Sequence, residues 1–530
     1  MTESPATRTA PAIRRRLGWL GVAVVLALTP ALGVRAEPPA SLPNIGLNVA
    51  TELQRLGSIG GVLGAGALLD DSGSTNCMFD DPEPLTYSTR EIVLRTDLSK
   101  QQAINRVNAA IGAGPGHAVG AKKIELPSVP PAPGARGTGP LADSLTPIVV
   151  VSVKPREQGG PEVEIVKVAR VLRDDDVLAS PNYLFSPTKD GPIGVWPSGY
   201  PKITTVTTPP RDAGLGAGVK VFVYDVGLAP ASQSDRPPNV SELVAGVDEE
   251  VLDVEPPIGK VDRFYGAHTV GIADVFATLA PAAVVKAVRI TNSRGFVTDV
   301  TAVTRMSNTL QQAVNPPDVI INSFGSPACS VSGSPSDGEM VPLGLQAITE
   351  AIDARGDSVL VAAAGNRSTD RRFYPGAFDT DPDEELDVVV GVGALDVISA
   401  TDPVDDPDEG MWISKSRTGP PADFSNFGQW VDAWAPGVGL PVRHIDGLRF
   451  LKRLPDLQGR GLVNGTSFAA PYVGALIAEQ ISLTGELPLE AWRSIEAAGV
   501  PCSTEFGGTA VALVSMDADP TTPPSEPPEC

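Results

Sequence analysis

GTSFAAPYVGA, residues 465–475, places a serine directly after a glycine turn and at the start of a run of small and apolar residues. A serine in the first turn of a helix has an exposed hydroxyl, and the helix dipole lies behind it. Ala469 and Ala470 allow close packing, and Pro471 lies early in the helix, where its missing N–H costs little. The segment predicts either a nucleophilic serine at Ser467 or an ordinary serine N-cap on a buried helix.

Upstream of this segment, short apolar strands alternate with helices. The strand candidates are rich in Val and Ile, and they are Val219–Tyr224, Ala283–Arg289, Asp318–Asn322, Ser358–Ala363 and Val388–Val392. Helical stretches such as Val300–Val314 and Leu343–Ala354 separate them. Continuous apolar strands spaced by helices predict an α/β fold, with a doubly wound, mostly parallel sheet and helices on both faces. The functional residues of such a sheet lie at the carboxyl ends of its strands.

A serine hydroxyl becomes a strong nucleophile only when a base takes its proton and a carboxylate orients that base. Asp225 ends an apolar strand just before a glycine, so it is either an orienting carboxylate or a turn residue. The chain has 3 histidines. His268 lies between Asp225 and Ser467, whereas His117 and His444 are interpreted as surface or loop residues.

These segments resemble the subtilisin-like serine proteases, the subtilases. GTSFAAPYVGA is similar almost letter for letter to the family's nucleophile segment, and Val219–Gly227 to its aspartate motif, with Val226 where threonine is usual. The chain order Asp, His, Ser is also that of the family. Further segments that resemble family landmarks are Phe373–Ala377, Val389–Asp396, Phe424–Gly428 and Asp432–Gly437. The resemblance runs from about Gly218 to about Leu483 and implies a serine endopeptidase acting on polypeptides, with catalytic Asp225, His268 and Ser467.

The segment around the histidine departs from the family motif His-Gly-Thr-His-Val-Ala-Gly. It reads Tyr265-Gly266-Ala267-His268-Thr269-Val270-Gly271. Matching the glycines places Tyr265 at the catalytic position, and a tyrosine, with a pKa of about 10, cannot take the serine proton near neutral pH. A second register makes His268 the base, with Asp274 in place of a glycine. We adopt the second register, and the alternative is a catalytically inactive, peptide-binding protein.

Two further segments resemble parts of a subtilase cleft. A buried strand ends in Gly365-Asn366, which implies that the Asn366 amide donates to the developing oxyanion; a turn asparagine is the alternative. Ser323, Phe324 and Gly325 resemble the edge that lines the primary substrate pocket, with Phe324 in place of leucine. The substrate backbone is expected to pair there as an added strand. Residues 329–340 form an extra loop beside this cleft.

Residues 85–190 predict a separate α+β unit. Its pattern is strand Arg90–Leu94, helix Lys100–Ile111, strand Pro147–Val153, helix Glu162–Leu172 and strand Val177–Phe185. That order is typical of a split-βαβ, ferredoxin-like sandwich. Its last strand resembles the end of the subtilase pro-region, which implies an intramolecular inhibitor. Self-cleavage is then expected between Ser186 and Gly216, within or beside a linker at 191–216, and frees a catalytic domain at 217–516. A permanent accessory domain is the alternative.

The N-terminus has the order of a secretory signal. Arg14-Arg15-Arg16 precede the apolar run Leu17–Leu28, and Val34-Arg35-Ala36 supplies a cleavage site. A membrane span needs about 20 apolar residues, which this run does not reach. We predict a signal peptide at 1–36, a Gly/Ala/Pro-rich segment at 37–84, a Pro-rich tail at 517–530, and an extracellular or periplasmic protein.

Composition limits the partners and cofactors. Lys and Arg total 41 against 63 for Asp and Glu, and the net charge of −22 disfavours a nucleic-acid partner. The four cysteines are Cys77, Cys329, Cys502 and Cys530, and they permit two disulfides. A Cys502–Cys530 disulfide, which would hold the tail, is the pairing that is easiest to picture. The acidic clusters Asp379–Asp387 and Asp402–Glu409 could bind calcium, but solvated loops are the favoured interpretation. No metal-ligating residues are assigned, no cofactor is certain, and calcium is the one cofactor left open.

Overall fold

The computed structural model describes the parts of the chain that carry the two predicted units. They are residues 87–124, 126, 146–156, 163–185, 212–228, 240–244, 263–291, 295–313, 315–331, 338–379, 386–396, 421–443, 460–503 and 506–511. The signal, the 37–84 segment, the Pro-rich tail, His444 and most of the 191–216 linker lie outside them, so the predictions about them stay predictions. Among the helices described, none has the length and apolar character that crossing a membrane requires.

Helices and strands alternate through most of the described chain. The strands are β1 (Tyr87–Arg95), β2 (Gly116–Ile124), β3 (Ile148–Pro155), β4 (Leu178–Phe185), β5 (Lys220–Asp225), β6 (Val240–Val244), β7 (Val284–Arg289), β8 (Val297–Thr298), β9 (Val319–Asn322), β10 (Cys329–Ser330), β11 (Glu339–Met340), β12 (Val359–Ala363), β13 (Val389–Leu395), β14 (Ala433–Pro436), β15 (Leu440–Arg443), β16 (Arg460–Val463), β17 (Val500–Pro501) and β18 (Thr509–Ala510). The helices are α1 (Lys100–Ile111), α2 (Ile165–Asp174), α3 (Arg263–Leu279), α4 (Asp299–Gln312), α5 (Leu343–Arg355), α6 (Thr466–Thr484) and α7 (Pro488–Ala498).

The N-terminal unit, residues 87–185, is an antiparallel sheet with two helices. Its strand order is β2-β3-β1-β4, and β4 continues the sheet by pairing with β8 of the second unit. The strand β2 corrects the sequence analysis, which has no strand between α1 and the Pro-rich loop. Small and charged side chains fill β2, and several of them, including His117, are exposed, so no apolar run marks this strand. The exposure of His117 agrees with its interpretation as a surface residue.

The parallel-sheet domain, residues 212–511, contains a nine-stranded sheet. The strand order is β17-β18-β14-β13-β12-β9-β5-β7-β6, and every neighbouring pair except β17–β18 is parallel. The central strands β9, β12 and β13 are buried along their whole length. Burial on both faces explains why these strands read as continuous Val and Ile runs rather than alternating ones. The predicted α/β class is confirmed.

Successive residues of β5 point to opposite faces of the sheet. Phe222 and Tyr224 belong to a core shared with α4, α5 and the N-terminal unit, whereas Val221 and Val223 belong to a core shared with α3 and α6. Helices therefore cover both faces, as predicted. The helix α6 is buried along its first three turns, from Thr466 to Ala478. Ser323, directly after β9, donates its Oγ–H to Ser467 O, which places the start of α6 beside the carboxyl end of β9.

Candidate active site

Asp225 and His268 form a buried pair at the carboxyl end of the sheet. Asp225 is the last residue of β5, and His268 lies in α3. His268 Nδ1 is 2.7 Å from Asp225 Oδ2, and both side chains have 0% exposure. With Nδ1–H donated to the carboxylate, a neutral imidazole carries its lone pair on Nε2. That Nε2 is buried and has no hydrogen-bond partner among the described residues, so it is available as a base.

Thr269 is a second donor to the same carboxylate. Its Oγ1 donates to Asp225 Oδ2 at 3.0 Å, and the residue is fully buried. Asp225 Oδ1 has no partner within the described residues, so the observed contacts of the carboxylate converge on Oδ2. Sequence reasoning missed Thr269, because a helical threonine more often bonds a carbonyl of the preceding turn and nothing in the local pattern marks this one.

Ser467 is the second residue of α6. The N-cap is Gly465 and not Ser467, so the interpretation of this serine as an ordinary N-cap is wrong. Gly465 has a φ of 142°, a conformation that favours glycine and accounts for the glycine before the serine. The Phe468 ring lies 5.4 Å from the His268 ring, between centroids, which brings the start of α6 close to α3. No hydrogen bond joins His268 to Ser467 in the described part of the chain.

Asn366 lies next to the start of α6. Its Oδ1 accepts from Thr466 N at 2.9 Å and from Thr466 Oγ1 at 3.0 Å. These two bonds fix the amide and leave Nδ2 as its donating end. The N–H groups of Phe468 and Ala469 donate to Gly465 O, whereas none of the bonds found among the described residues uses the Ser467 N–H. An amide and a backbone N–H beside a serine are the donors that an oxyanion requires.

Asn426 holds the turn that carries Asn366. Its Nδ2 donates to Ala364 O and its Oδ1 accepts from Arg367 N, both at 2.8 Å, and its N–H donates to Gly365 O at 3.0 Å. Gly365 has a φ of 95°, and a Cβ there would lie 2.6 Å from Asn426 Nδ2. Asn426 lies in the segment Phe424–Gly428, which sequence analysis identified without giving this asparagine a role.

The predicted pocket residues Ser323, Phe324 and Gly325 follow β9 directly. All three are buried, and Ser323 Oγ donates to Ser467 O at 3.2 Å. A Cβ on Gly325 would lie 2.2 Å from Tyr374 O, so the backbone can approach this closely only at glycine. The Phe324 ring is 5.8 Å from the ring of Phe185, the last residue of β4. The end of the N-terminal unit therefore lies against the predicted pocket wall.

A buried carboxylate lies between α4 and α5, outside this site. Asp299 Oδ1 and Oδ2 accept from Leu345 N and Gly344 N, both at 2.8 Å, at the start of α5. Burial raises the pKa of Asp299 to about 7, although the two N–H donors oppose that change. A second carboxyl, Asp432, has a pKa raised by burial and by the neighbouring Asp379. Both groups are therefore more readily protonated than ordinary surface carboxylates.

The calcium prediction is not tested, and the disulfide prediction is tested only in part. No group of three or more His, Cys, Asp or Glu side chains that could hold a metal ion occurs among the described residues. Most of the two acidic clusters lies outside them, so calcium binding stays a prediction. Cys329 and Cys502 are both disulfide-bonded. The pairing of Cys502 with Cys530 stays a prediction, because Cys530 is outside the described residues.

Comparison with known proteins finds serine proteinases among the relatives of this chain. The model of the subtilase family matches residues 262–498. A thermophilic serine proteinase of Bacillus sp. is 27% identical over 349 residues, which cover 62% of this chain and 69% of that protein. Mycosin-1 of Mycolicibacterium smegmatis is 32% identical over 137 residues, 25% of this chain and 28% of that protein. Among solved structures, fervidolysin from Fervidobacterium pennivorans, a keratinolytic enzyme related to subtilisin, matches with 17% identity and a TM-score of 0.46, over 82% of this chain and 61% of that one. Over residues 262–498 the chain matches the subtilase family, and it is similar to serine-type endopeptidases of that family.

Proposed function

We propose that the protein hydrolyses peptide bonds through a triad of Asp225, His268 and Ser467. The observation that carries the proposal is the buried 2.7 Å contact between His268 Nδ1 and Asp225 Oδ2. As Ser467 Oγ attacks the scissile carbonyl, His268 Nε2 takes its proton, and Asp225 stabilises the imidazolium that forms. The same proton passes to the leaving amine, the C–N bond breaks, and an acyl-enzyme remains. Water then attacks the ester, with His268 again as base, and releases the carboxylic acid.

Asn366 Nδ2 and the Ser467 N–H are the proposed oxyanion donors. Both are fixed before substrate arrives, because Thr466 holds the Asn366 side chain and α6 holds the Ser467 backbone. Donors that need no reorganisation stabilise the tetrahedral intermediate more than the ground state, which is the requirement for catalysis. Removal of one such donor typically lowers kcat by about 10²–10³.

The second candidate function is peptide binding without catalysis. The absence of a hydrogen bond between His268 and Ser467 in the described part of the chain favours it. In this reading, Tyr265, in the first turn of α3, stands at the catalytic position of the family motif and His268 is structural. The protein would then hold extended peptides against Ser323, Phe324 and Gly325 and leave them intact.

We also propose that the protein is exported and made as a self-processing precursor. In support, β4 pairs antiparallel with β8, with Leu184 opposite Thr298 and Phe185 opposite Val297, and Phe185 lies against Phe324. Because β4 ends at Phe185, the segment in which the cut is expected, Ser186 to Gly216, begins directly at this end of the strand. The N-terminal unit would then block the cleft until it is removed.

The test compares the secreted wild type with Ser467→Ala by intact mass, with and without a fluorophosphonate probe. The proposal expects a wild-type product that begins between Ser186 and Gly216 and carries the probe. The variant should lose only its signal peptide and stay unlabelled. If folded wild type keeps its N-terminal unit and takes up no probe, the peptide-binding function is the correct one.

A further inference from the structure

The carboxylate of Asp225 has few hydrogen bonds for a group that is fully buried. Its main chain is fixed, because Asp225 ends β5 and its backbone oxygen accepts from Ile290 N at 3.0 Å. Its side chain is less constrained, since the last torsion of an aspartate is only loosely restricted. Within the described residues, Oδ1 has no hydrogen-bond partner. The orientation of the carboxylate therefore depends on the groups that bind Oδ2.

Two neighbouring residues of α3 bind that oxygen. His268 Nδ1 lies 2.7 Å from Oδ2, and Thr269 Oγ1 donates to it at 3.0 Å. If the imidazole were the only donor, the ring would orient the very carboxylate that has to orient the ring. The hydroxyl provides a contact that is independent of the imidazole, because an O–H donates to this oxygen in every protonation state of the histidine.

The hydroxyl of Thr269 is committed to this contact. A threonine within a helix commonly bonds a carbonyl of the preceding turn. Thr349 of α5 does so, since its Oγ1 donates to Leu345 O at 2.8 Å. Thr269 is as fully buried as Thr349, yet among the described residues the hydrogen bond of its hydroxyl goes to Asp225 instead. The contact joins α3 to the end of β5 and does not serve the helix itself.

The strand that carries Asp225 supplies no such donor. The next residue is Val226, which is fully buried and has an apolar side chain at the position where the family motif usually has threonine. The hydroxyl beside the carboxylate therefore comes from α3, from the residue next to the proposed base. Because His268 and Thr269 are adjacent on one helix, a shift of α3 moves the base and the second donor together.

We propose that Thr269 is a positioning residue of the triad. Its hydroxyl holds Oδ2 of Asp225 toward His268 Nδ1, which keeps the proton on Nδ1 and the lone pair on Nε2, the nitrogen that takes the serine proton. Without the hydroxyl the carboxylate keeps its charge but is free to rotate, and the imidazole loses its fixed tautomer. The effect on rate rests on the proposed function, whereas the tautomer of His268 can be measured without catalysis.

The first experiment observes the imidazole by NMR, in the full chain with Ser467→Ala and with histidine labelled at its ring nitrogens. The chain has 3 histidines, and His268→Gln identifies the signal of His268. At about pH 9, where an imidazole is neutral, we expect a low-field signal from the Nδ1–H. Thr269→Val removes the hydroxyl and keeps the shape of the side chain, so it should abolish this signal through exchange. Thr269→Ser should retain it.

The second experiment measures hydrolysis of a chromogenic peptide, with the amount of active enzyme taken from fluorophosphonate labelling. Thr269→Val should lower kcat by about 10- to 100-fold and change KM by less than about twofold, because the base acts in the transition state and not in substrate binding. Thr269→Ser should return kcat to within about threefold of the wild type. Thr349→Val is the matched control, since it also removes a buried hydroxyl from a helix, and it should keep the wild-type kcat.

Three results overturn the proposal. The first is an Nδ1–H signal that is absent from Ser467→Ala or unchanged by Thr269→Val. The second is a Thr269→Ser variant as slow as Thr269→Val, and the third is an equal loss of kcat in Thr269→Val and Thr349→Val. If circular dichroism shows that Thr269→Val does not fold, Thr269→Ala takes its place with the same expected results. A wild type that takes up no probe contradicts the proposed function, and the NMR comparison then decides the role of Thr269 alone.

Discussion

Asn366 and Thr466 lie 100 residues apart in the chain and are joined by two hydrogen bonds, from the Thr466 N–H at 2.9 Å and from its hydroxyl at 3.0 Å. The same hydroxyl accepts from Gly365 N at 3.1 Å. Thr466, the residue immediately before the proposed nucleophile Ser467, therefore connects the start of α6 to the turn that carries Asn366. The backbone N–H and the hydroxyl of this one residue together hold the two proposed oxyanion donors beside each other.

Thr466→Val should lower kcat by about tenfold and leave KM nearly unchanged, less than the loss of a whole oxyanion donor. The reason is that Asn366 keeps only the backbone bond and its amide is no longer fixed. Thr466→Ser keeps the hydroxyl and should restore most of the rate. Steady-state kinetics on a chromogenic peptide would measure both, and a serine variant as slow as the valine variant would contradict this account.

The identity of the base is tested by a pair of variants. His268→Ala should lower kcat/KM by about 10³-fold or more, whereas Tyr265→Phe should stay near the wild type, because a phenol takes no part in the proposed proton transfer. Circular dichroism on both variants would confirm that they fold. A wild type without activity, unchanged by either substitution, would mean that the histidine register is wrong.

The buried strands and the start of α6 can be predicted from sequence, because each of them has a local sequence pattern. Continuous Val and Ile runs identify β9, β12 and β13, and GTSFAAPYVGA identifies the start of α6. The structure explains why this segment has glycine at two positions. Gly465 has a φ of 142° where the chain turns, and a Cβ on Gly474 would lie 2.5 Å from Ile321 Cδ1. Strand β2 has neither apolar periodicity nor a turn motif, which is why the pattern misses it.

The contacts that complete the site join residues distant in sequence, and no local pattern predicts them. Thr269 reaches Asp225 across 44 positions, and Asn426 reaches Ala364 across 62. The Pro181-Asn182-Tyr183 segment resembles a pro-region end, but the resemblance does not say that Tyr183 inserts its hydroxyl into the β10–β11 hairpin. Such pairings depend on how segments distant in sequence pack against each other in the folded chain.

Asp299 should make stability fall with rising pH. Burial raises its folded pKa to about 7, above the ordinary aspartate value of about 3.9, so between these values the folded state holds a proton that the unfolded state has lost. The free energy of unfolding contributed by this group is therefore greatest below the unfolded pKa. This contribution declines as the pH rises toward 7, and above the folded pKa it no longer changes with pH.

Asp299→Asn removes this titration and keeps one acceptor oxygen for the start of α5. The melting temperatures of Ser467→Ala and of Ser467→Ala with Asp299→Asn are measured from pH 4 to 8. They give the difference in stability between the two variants at each pH. We expect the asparagine variant to be the less stable at pH 4, because it loses one of the two bonds to α5, and the gap to narrow as the pH rises. A gap that does not change with pH would show that Asp299 titrates as an ordinary aspartate.

Gly474 should be intolerant of any side chain. A Cβ there would lie 2.5 Å from Ile321 Cδ1 and 3.0 Å from Phe276 Cζ, in the core between α6, β9 and α3. Because a packed core accommodates an extra methyl only by shifting its neighbours, Gly474→Ala should cost about 1–3 kcal/mol in the free energy of unfolding. Gly120→Ala is the control, since a Cβ on Gly120 would meet nothing within 4 Å. Urea denaturation of both variants in the Ser467→Ala background measures the cost, and equal midpoints would mean that α6 lies less close to β9 than described.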